Sequence, residues 1–133
     1  MEATNIAEFN REIRAFEKTI PDKIVTLHKK IVLEAVRRVV NRTPVDTGRA
    51  RGNWQVTIDT PAEGQLDGTD KEGRATIARG LAELAGLKAD CVVWLSNNVD
   101  YIEFLEHGSS GQAPAGMLAV TVNDLRMMFK GAA

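Results

Sequence analysis

The sequence has little of what many stabilising or catalytic sites require. It contains one cysteine, Cys91, which excludes a disulfide within the chain, and only two histidines, His28 and His107. So few histidine and cysteine residues leave little material for a zinc site or for general-base catalysis. No run of 18 apolar residues is present, and the N-terminus lacks a basic segment followed by an apolar one. We therefore expect a protein that neither crosses nor binds a membrane and is not exported by a signal peptide.

The charge of the chain is nearly balanced. It has 17 basic and 18 acidic residues, which leaves a formal net charge of −1. A general nucleic-acid or membrane-surface binder usually carries a clear excess of basic residues, so neither class is indicated. A length of 133 residues suits one domain with a core of its own, and we expect residues 1–133 to form a single domain.

The N-terminal third has the hydrophobic periodicity of helices. Apolar residues spaced alternately by three and four predict an amphipathic helix from about residue 5 to residue 19. Pro21 should end it, and because proline is tolerated in a first helical turn, a second helix is expected from Pro21 to about Val40. The second helix has two apolar stripes, so we expect it to lie between a sheet and either the first helix or a neighbouring subunit. The apolar residues of the first helix are Ile6, Phe9, Ile13, Phe16 and Ile20. In the second helix one stripe is Ile24, Leu27, Ile31 and Ala35, and the other is Val25, Val32, Val36 and Val39.

Two segments have the patterns of strands. Apolar and polar residues alternate from Trp54 to Ile58, which predicts a strand with one solvent-exposed face. The run Cys91–Leu95 is apolar on both faces, as in a central strand that is covered on each side. We therefore expect Cys91, Trp54 and Trp94 to be buried.

The remaining segments complete an α+β fold. Residues 60–73 combine Pro, Gly and Asp without periodicity and predict an exposed loop. Apolar residues at helical spacing predict a short middle helix and a C-terminal helix. They are Ile77, Leu81 and Leu84, before a stop near Gly86, and Leu118, Val122, Leu125 and Phe129. The predicted architecture is two long N-terminal helices packed on a small, mostly antiparallel sheet, with these two further helices.

Two other segments stand out by their composition. In the first, Thr43-Pro-Val-Asp-Thr-Gly48, Pro44 rigidifies the exit from a helix, Asp46 can cap backbone amides, and Gly48 permits a positive φ. We predict a structural turn formed by Thr43, Pro44, Asp46 and Gly48. The second runs from Asn97 to Met117 and joins a polar and aromatic cluster to a loop rich in Gly and Ser.

Together these two segments resemble the neck family of tailed phages, whose members join the head to the tail or complete the tail. Members carry a Thr-Pro-Val-Asp-Thr-Gly turn after a long N-terminal helix, then an Asn-Asn-x-x-Tyr-x-x-x-Leu-Glu-x-Gly-Ser segment followed by Gln-Ala-Pro-x-Gly-Met. The match spans about the last two thirds of this chain. The matching residues are Thr43 to Gly48, Asn97, Asn98, Tyr101, Leu105, Glu106, Gly108, Ser109, Gln112, Ala113, Pro114, Gly116 and Met117.

The resemblance implies a structural virion protein that forms part of a ring at the head–tail junction, around the DNA channel. It implies as partners other copies of the chain, the phage connector or adaptor, and tail-terminator or tail-tube proteins. The expected location is the neck or proximal tail of the virion, after assembly in the bacterial host cytoplasm, and no cofactor is expected. The alternative within this class is a tail-terminator ring protein that caps the tail tube.

We predict an interface in the second segment. Tyr101, Phe104 and Leu105 are apolar enough to need cover, whereas the glycines of loop 108–116 permit close approach of another subunit. The predicted interface residues are Tyr101, Phe104, Leu105, Glu106, His107, Ser109, Gln112, Pro114 and Met117.

Five arginines lie within fifteen residues of one another around the first segment. They form either a basic patch that contacts viral DNA nonspecifically or an ordinary solvated face with ion pairs. These residues are Arg37, Arg38, Arg42, Arg49 and Arg51.

Candidate catalytic residues are few. On a helix, Glu103 and His107 would share a face and could bind a divalent metal, so a small metal-dependent hydrolase is the more remote alternative. No Cys-x-x-Cys or His-Glu-x-x-His motif supplies further ligands. The segment Gly108-Ser-Ser-Gly111 lacks the Lys-Ser or Lys-Thr pair of a phosphate-binding loop. We therefore predict that the protein is not an enzyme.

Overall fold

The fold is α+β, as the sequence predicts. A computed structural model describes residues 3–131, without the side chains of residues 3–6 and 16–18. The elements are α1 (Ala3–Arg42), α2 (Arg49–Gly52), β1 (Gln55–Ile58), α3 (Arg74–Ala82), a 3-10 turn (Glu83–Gly86), β2 (Val93–Ser96), α4 (Ile102–Glu106) and α5 (Leu118–Met128). None of the helices in the described residues combines the length and the apolar character needed to cross a bilayer.

The N-terminal third forms one helix where the sequence predicts two. α1 continues from Ala3 to Arg42 and contains Pro21 in its interior. Proline lacks the N–H that would bond the carbonyl four residues earlier, so Pro21 removes one hydrogen bond from the helix. Its cost of about 3 kcal/mol does not by itself end a helix whose other hydrogen bonds are kept. The predicted helix end at Pro21 is therefore corrected to a single proline-containing helix.

The core lies against the C-terminal part of α1, which packs on α3 and α5. One predicted stripe is buried except at its start: Val32, Val36 and Val39 are buried, and Val25 is half-buried. The other predicted stripe is exposed to solvent at its start, where Ile24 is 45% exposed. The buried apolar cluster consists of Val32, Val36, Val39, Val40, Trp54, Val56, Leu84, Leu87, Ala113 and Met117.

The sheet is small and antiparallel, as predicted. β1 and β2 pair antiparallel, with Val56 opposite Leu95, and the described residues contribute no third strand. Trp54 is 2% exposed, as predicted, but Trp94 is 41% exposed. The indole N–H of Trp94 donates to the Asp59 carbonyl at 3.1 Å across this open face. The prediction that β2 is a central strand covered on each side is wrong, because no element of the described residues covers the face of β2 that bears Trp94.

The middle and C-terminal helices are confirmed, and the middle one is followed by a 3-10 turn that ends at Gly86. Residues 60–73 form neither helix nor strand, also as predicted. Asn53, which is fully buried, nevertheless attaches this loop to the domain. Its carboxamide accepts the N–H of Leu66 at 2.7 Å and donates to the Leu66 carbonyl at 3.3 Å. Cys91, predicted to be buried, is only half-buried against the core.

Hydrogen bonds of Thr43 join the end of α1 to the start of β1. Thr43 is fully buried, and its hydroxyl donates to the Val39 carbonyl at 2.5 Å. The same hydroxyl accepts the indole N–H of Trp54 at 2.7 Å. The Thr43 carbonyl accepts the Arg51 guanidinium at 2.9 Å. Thr43 therefore satisfies buried polar groups on both sides and fixes the direction of the chain as it leaves the helix.

We expect Thr43→Val to lower the free energy of unfolding by about 1–3 kcal/mol, because the buried indole N–H of Trp54 would lose its acceptor. Urea denaturation followed by tryptophan fluorescence measures this change. Thr69→Val, at an exposed position, is the matched control and should alter the free energy by less than about 0.5 kcal/mol. Equal unfolding midpoints for the two variants would mean that the Thr43 hydroxyl does not stabilise the core.

Candidate functional site

The two segments that carry the family resemblance meet at one surface groove. Residues 44–50 form one wall, and the opposite wall consists of Tyr101, Leu105, Ser110 and Gln112. The groove, which we name the motif groove, has a volume of about 430 Å³. Its two walls come from segments that the sequence keeps far apart, so the fold itself assembles them into one site.

Side-chain amides hold the two walls together. The Gln112 carboxamide accepts the N–H of Val45 at 2.9 Å and donates to the Val45 carbonyl at 3.2 Å. Asn97, at the start of the second segment, donates to the Ala50 carbonyl at 2.8 Å. A primary amide can bond a backbone donor and a backbone acceptor at once, as a neighbouring strand would. Gln112 and Asn97 therefore position the groove, and their amides are committed to this task.

The predicted structural turn is present, but its hydrogen bonds differ from those predicted. Gly48 has a φ of 90°, and a Cβ there would lie 2.7 Å from the Lys71 backbone nitrogen. Such a φ and such close backbone contact favour glycine over any larger residue. Asp46 makes no hydrogen bond to the described residues, whereas the Thr47 hydroxyl accepts the Arg49 N–H at 3.2 Å. The prediction that Asp46 caps the turn is wrong, and its exposed carboxylate lines the motif groove instead.

Asp70 stabilises the turn through hydrogen bonds, a role that the sequence patterns did not predict. Its N–H donates to the Gly48 carbonyl at 2.9 Å. Its carboxylate accepts the N–H of Gly73 at 2.9 Å and both the N–H and the hydroxyl of Thr76, at 2.9 and 2.7 Å. Burial raises the pKa of the Asp70 carboxyl, but the bonds from Thr76 and Gly73 and the charge of Arg79 hold the pKa below its ordinary value. The signal in the sequence was an aspartate shortly before a helix, a common position for a cap.

Glu106, predicted as an interface residue, caps the N-terminus of α5. Its carboxylate accepts the N–H groups of Met117, Leu118 and Ala119 at 3.0, 2.8 and 3.1 Å. Burial raises the pKa of the Glu106 carboxyl, but these three donors and the nearby His107 together hold the pKa below its ordinary value of 4.5. The carboxylate is therefore used within the fold, because a helix start has N–H groups without helical partners.

We expect Glu106→Gln to lower the free energy of unfolding at neutral pH by about 1 kcal/mol, since α5 would lose its anionic cap. The pKa of Glu106 is depressed in the folded protein, so its contribution is present above about pH 4.5 and is lost as the pH falls through the folded-state pKa. The difference between wild type and variant should therefore shrink in acid. Urea titrations at several pH values measure it, and exposed Glu103→Gln is the control. A difference that did not depend on pH would contradict the cap.

Comparison with protein-family models, with curated proteins and with solved structures found no match.

The predicted interface residues divide into an exposed and a buried group. Tyr101 is 39% exposed and Phe104 is 68% exposed. Leu105 is half-buried and lines the motif groove. Met117 is fully buried in the core, which corrects its prediction as an interface residue, because its apolar side chain fills the space beneath the start of α5. The remaining predicted interface residues, His107, Ser109, Gln112 and Pro114, are exposed.

The loop between α4 and α5 folds back through Gly108. Its φ is 87°, and a Cβ at this position would collide with the Pro114 carbonyl. The N–H groups of Gly108 and Ser109 both donate back to α4, to the carbonyls of Leu105 and Phe104 at 3.1 Å each. The local backbone conformation therefore requires a glycine at position 108, whether or not a partner binds.

Two of the five clustered arginines are bound to α5. Arg38 donates to the Asp124 carboxylate at 2.9 Å, and Arg42 binds the same carboxylate. Arg42 also donates to the Thr121 hydroxyl at 3.0 Å. The bonds from Arg42 and then Arg38 lower the pKa of the Asp124 carboxyl. Both guanidiniums thus join α1 to α5 and are not free to bind DNA phosphates through the same donors.

The other three arginines have different surroundings. Arg51 donates to the carbonyls of Lys71, Asn41 and Thr43 at 2.8, 3.0 and 2.9 Å, so it is a structural residue. Arg49 binds the Gln65 carboxamide at the rim of the motif groove. Arg37 is exposed and has no hydrogen-bond or ion-pair partner among the described residues. The five arginines therefore do not form one free basic patch.

Glu103 and His107 lie one helical turn apart, as predicted. Both are exposed, and the bond between them joins the His107 N–H to the Glu103 carbonyl at 3.0 Å. In the part of the chain that the structure describes, no group of three or more His, Cys, Asp or Glu residues is placed to hold a metal ion. A catalytic metal usually has three protein ligands, so these two residues do not suffice.

Proposed function

We propose that this chain is a structural protein of a tailed-phage particle that forms part of a ring at the head–tail junction, around the DNA channel. The observation that carries the proposal is the motif groove. The two segments that resemble the neck family are tied to each other by Gln112 and Val45, which are 67 residues apart, and together they line one surface. This arrangement supports an assembly role, because the matching segments line a surface groove, and no group of three or more His, Cys, Asp or Glu among the described residues could hold a catalytic metal.

The composition of the motif groove suits a segment of another protein. Its lining combines the aromatic ring of Tyr101 and the half-buried Leu105 with the polar side chains of Asp46, Arg49 and Ser110. Protein interfaces usually combine apolar and polar groups, and tyrosine is enriched in them. We infer that the groove receives a segment of an adjacent subunit or of the connector, adaptor, tail-terminator or tail-tube protein.

A ring also requires a second, different patch on each subunit, because successive copies contact head to tail. The outer face of the sheet provides one. Val92 is 56% exposed and Trp94 is 41% exposed on this face, although both are large and apolar. Exposed tryptophan in an apolar patch is typical of interface anchors. Contacts between proteins are the basis of the proposed function. Arg37 and Arg49 could contact only a few DNA phosphates.

We expect Tyr101→Ala to fold normally and to reduce the yield of infectious particles roughly tenfold or more, as loss of an interface anchor does. Tyr101 is exposed and its side chain has no hydrogen bond to the described residues, so the core should not change. The measurement is complementation of a phage that lacks this gene, together with thermal melts of the purified subunit.

Met127→Ala, at an apolar position that is 72% exposed and outside the groove, is the matched control and should complement fully. Normal titres and normal melts for Tyr101→Ala would mean that the functional surface lies elsewhere. Unfolding of Tyr101→Ala would mean that this side chain stabilises the fold of the subunit. Electron microscopy that places the subunit only at the end of the tail tube would favour the tail-terminator function, and its absence from particles would overturn both.

A further inference from the structure

The apolar strand β2 lies at an open edge of the sheet. β1 pairs with one side of it, and no other strand of the described residues pairs with the second side. Residues 92–95 are apolar on both faces, and the strand contains neither a charged residue nor a proline. Such residues normally protect an exposed edge from pairing with another chain. The composition of β2 is therefore that of a strand paired on both sides.

The hydrogen-bond pattern identifies the free backbone groups of β2. The Asp59 N–H donates to the Val92 carbonyl at 2.6 Å, so Val92 and, by alternation along the ladder, Trp94 and Ser96 direct their backbone groups toward β1. The same alternation directs the N–H and C=O groups of Val93 and Leu95 away from the sheet. No hydrogen bond to another part of the described chain occupies these groups. This edge can therefore accept a further strand.

The outer edge of β1 is obstructed, in contrast to that of β2. α3 packs on β1. Arg79 of α3 donates to the Trp54 carbonyl at 3.0 Å at one end of the strand. At the other end the Thr60 N–H donates to the Ile58 carbonyl at 2.9 Å. Between the two strands that the structure describes, β2 thus has the open edge.

We propose that β2 pairs antiparallel with β2 of a second copy of this chain, about a two-fold axis at Trp94. Val93 then lies opposite the partner's Leu95, and each such pair exchanges two hydrogen bonds, so the free groups of both edges are all used.

The neighbouring registers fit less well. One would place Leu95 opposite the partner's Cys91, whose N–H already donates to the Lys88 carbonyl at 3.3 Å. The other would place Trp94 opposite the partner's Ser96 and leave an apolar ring against a polar side chain. The register centred on Trp94 avoids both losses.

The side chains agree with this register on both faces of the sheet. On the outer face, Trp94, which is 41% exposed, meets the partner's Trp94 at a position where opposite side chains are closest and aromatic pairs are favourable. On the core face, the partner's Val93 lies beside Leu95. Leu95 and the 40% exposed Leu118 border a cavity of about 140 Å³, which has room for an apolar side chain. The pairing covers apolar surface on each face.

A second copy is the occupant that the sheet itself indicates. The partner strand must offer an open edge and uncharged apolar side chains on both faces, and β2 has both. β1 has Gln55 and Thr57 on its outer face and lacks the open edge. The combined sheet has the order β1-β2-β2-β1, and its two ends are the obstructed edges of β1. Pairing therefore stops at a dimer.

The dimer goes beyond the proposed function and does not depend on it. Its contact is two-fold, whereas the contact in a ring is head to tail. Both contacts would cover Trp94, so the dimer is a form of the free subunit and has to separate before the outer face of the sheet joins a ring. The purified subunit suffices to test it, without phage particles.

Sedimentation equilibrium of the full chain over a dilution series tests the pairing. The wild type should be a monomer–dimer mixture, and Trp94→Lys, which places two like charges opposite each other, should weaken dimerisation roughly tenfold or more. Met127→Lys introduces the same charge at an apolar position that is 72% exposed and outside the sheet, and it should dimerise like the wild type. A wild type that stays monomeric at all concentrations would overturn the proposal, as would equal loss of dimer in both variants.

Cross-linking tests the register. In a Cys91→Ser background, Trp94→Cys places two thiols directly opposite each other, and mild oxidation should join the subunits through a disulfide. Val92→Cys in the same background is the matched control, because two residues at this position would lie roughly 14 Å apart and should not be joined. Coupling through position 92 instead, or through neither position, would exclude this register. Thermal melts check that each variant remains folded.

Hydrogen exchange resolved by residue separates strand pairing from a contact through side chains alone. In the dilute monomer the N–H groups of Val93 and Leu95 should exchange quickly, whereas those of Trp94 and Ser96, which point toward β1, should exchange slowly. In the dimer Val93 and Leu95 should be protected as well. A dimer that leaves them unprotected would exclude strand pairing. Protection only in assembled particles would assign the edge to a different protein and overturn the pairing with a second copy.

Discussion

The geometry of the motif groove depends on the buried hydroxyl of Thr43. This hydroxyl is bonded on one side to the Val39 carbonyl of α1 and on the other to the Trp54 indole at the start of β1. It thereby fixes both where the helix ends and where the strand begins. The chain between these points must pass close to the backbone of residue 70, which Gly48 permits at a φ of 90°. One wall of the groove follows from this constraint.

Carboxylates around the groove have two distinct roles. Asp70 and Glu106 each accept three hydrogen bonds at the start of a helix, which offsets the cost of partly burying an anion. Their oxygens hold the scaffold and have little capacity left for a ligand. Asp46 accepts no such bond and stands exposed in the groove. It is the acidic group that a partner can reach there.

Much of the fold is predictable because hydrophobic periodicity reflects the faces of one element. The alternation at Trp54–Ile58 and the helical spacing in α5 each predict their own structure. The number of layers is not a local property, which is why the apolar pattern of β2 did not reveal that Trp94 would be exposed. In the site, the turn at Gly48 follows from its residues, whereas the bonds between Gln112 and Val45 depend on tertiary docking.

The motif groove combines Tyr101 with the polar residues that line it, a composition that suits an irregular segment of a partner, as the proposed function requires. Its walls are held together within the subunit, because Gln112 bonds the backbone of Val45 and Asn97 bonds the Ala50 carbonyl. The groove is therefore formed by contacts of the subunit itself, and a partner would enter a site that already exists.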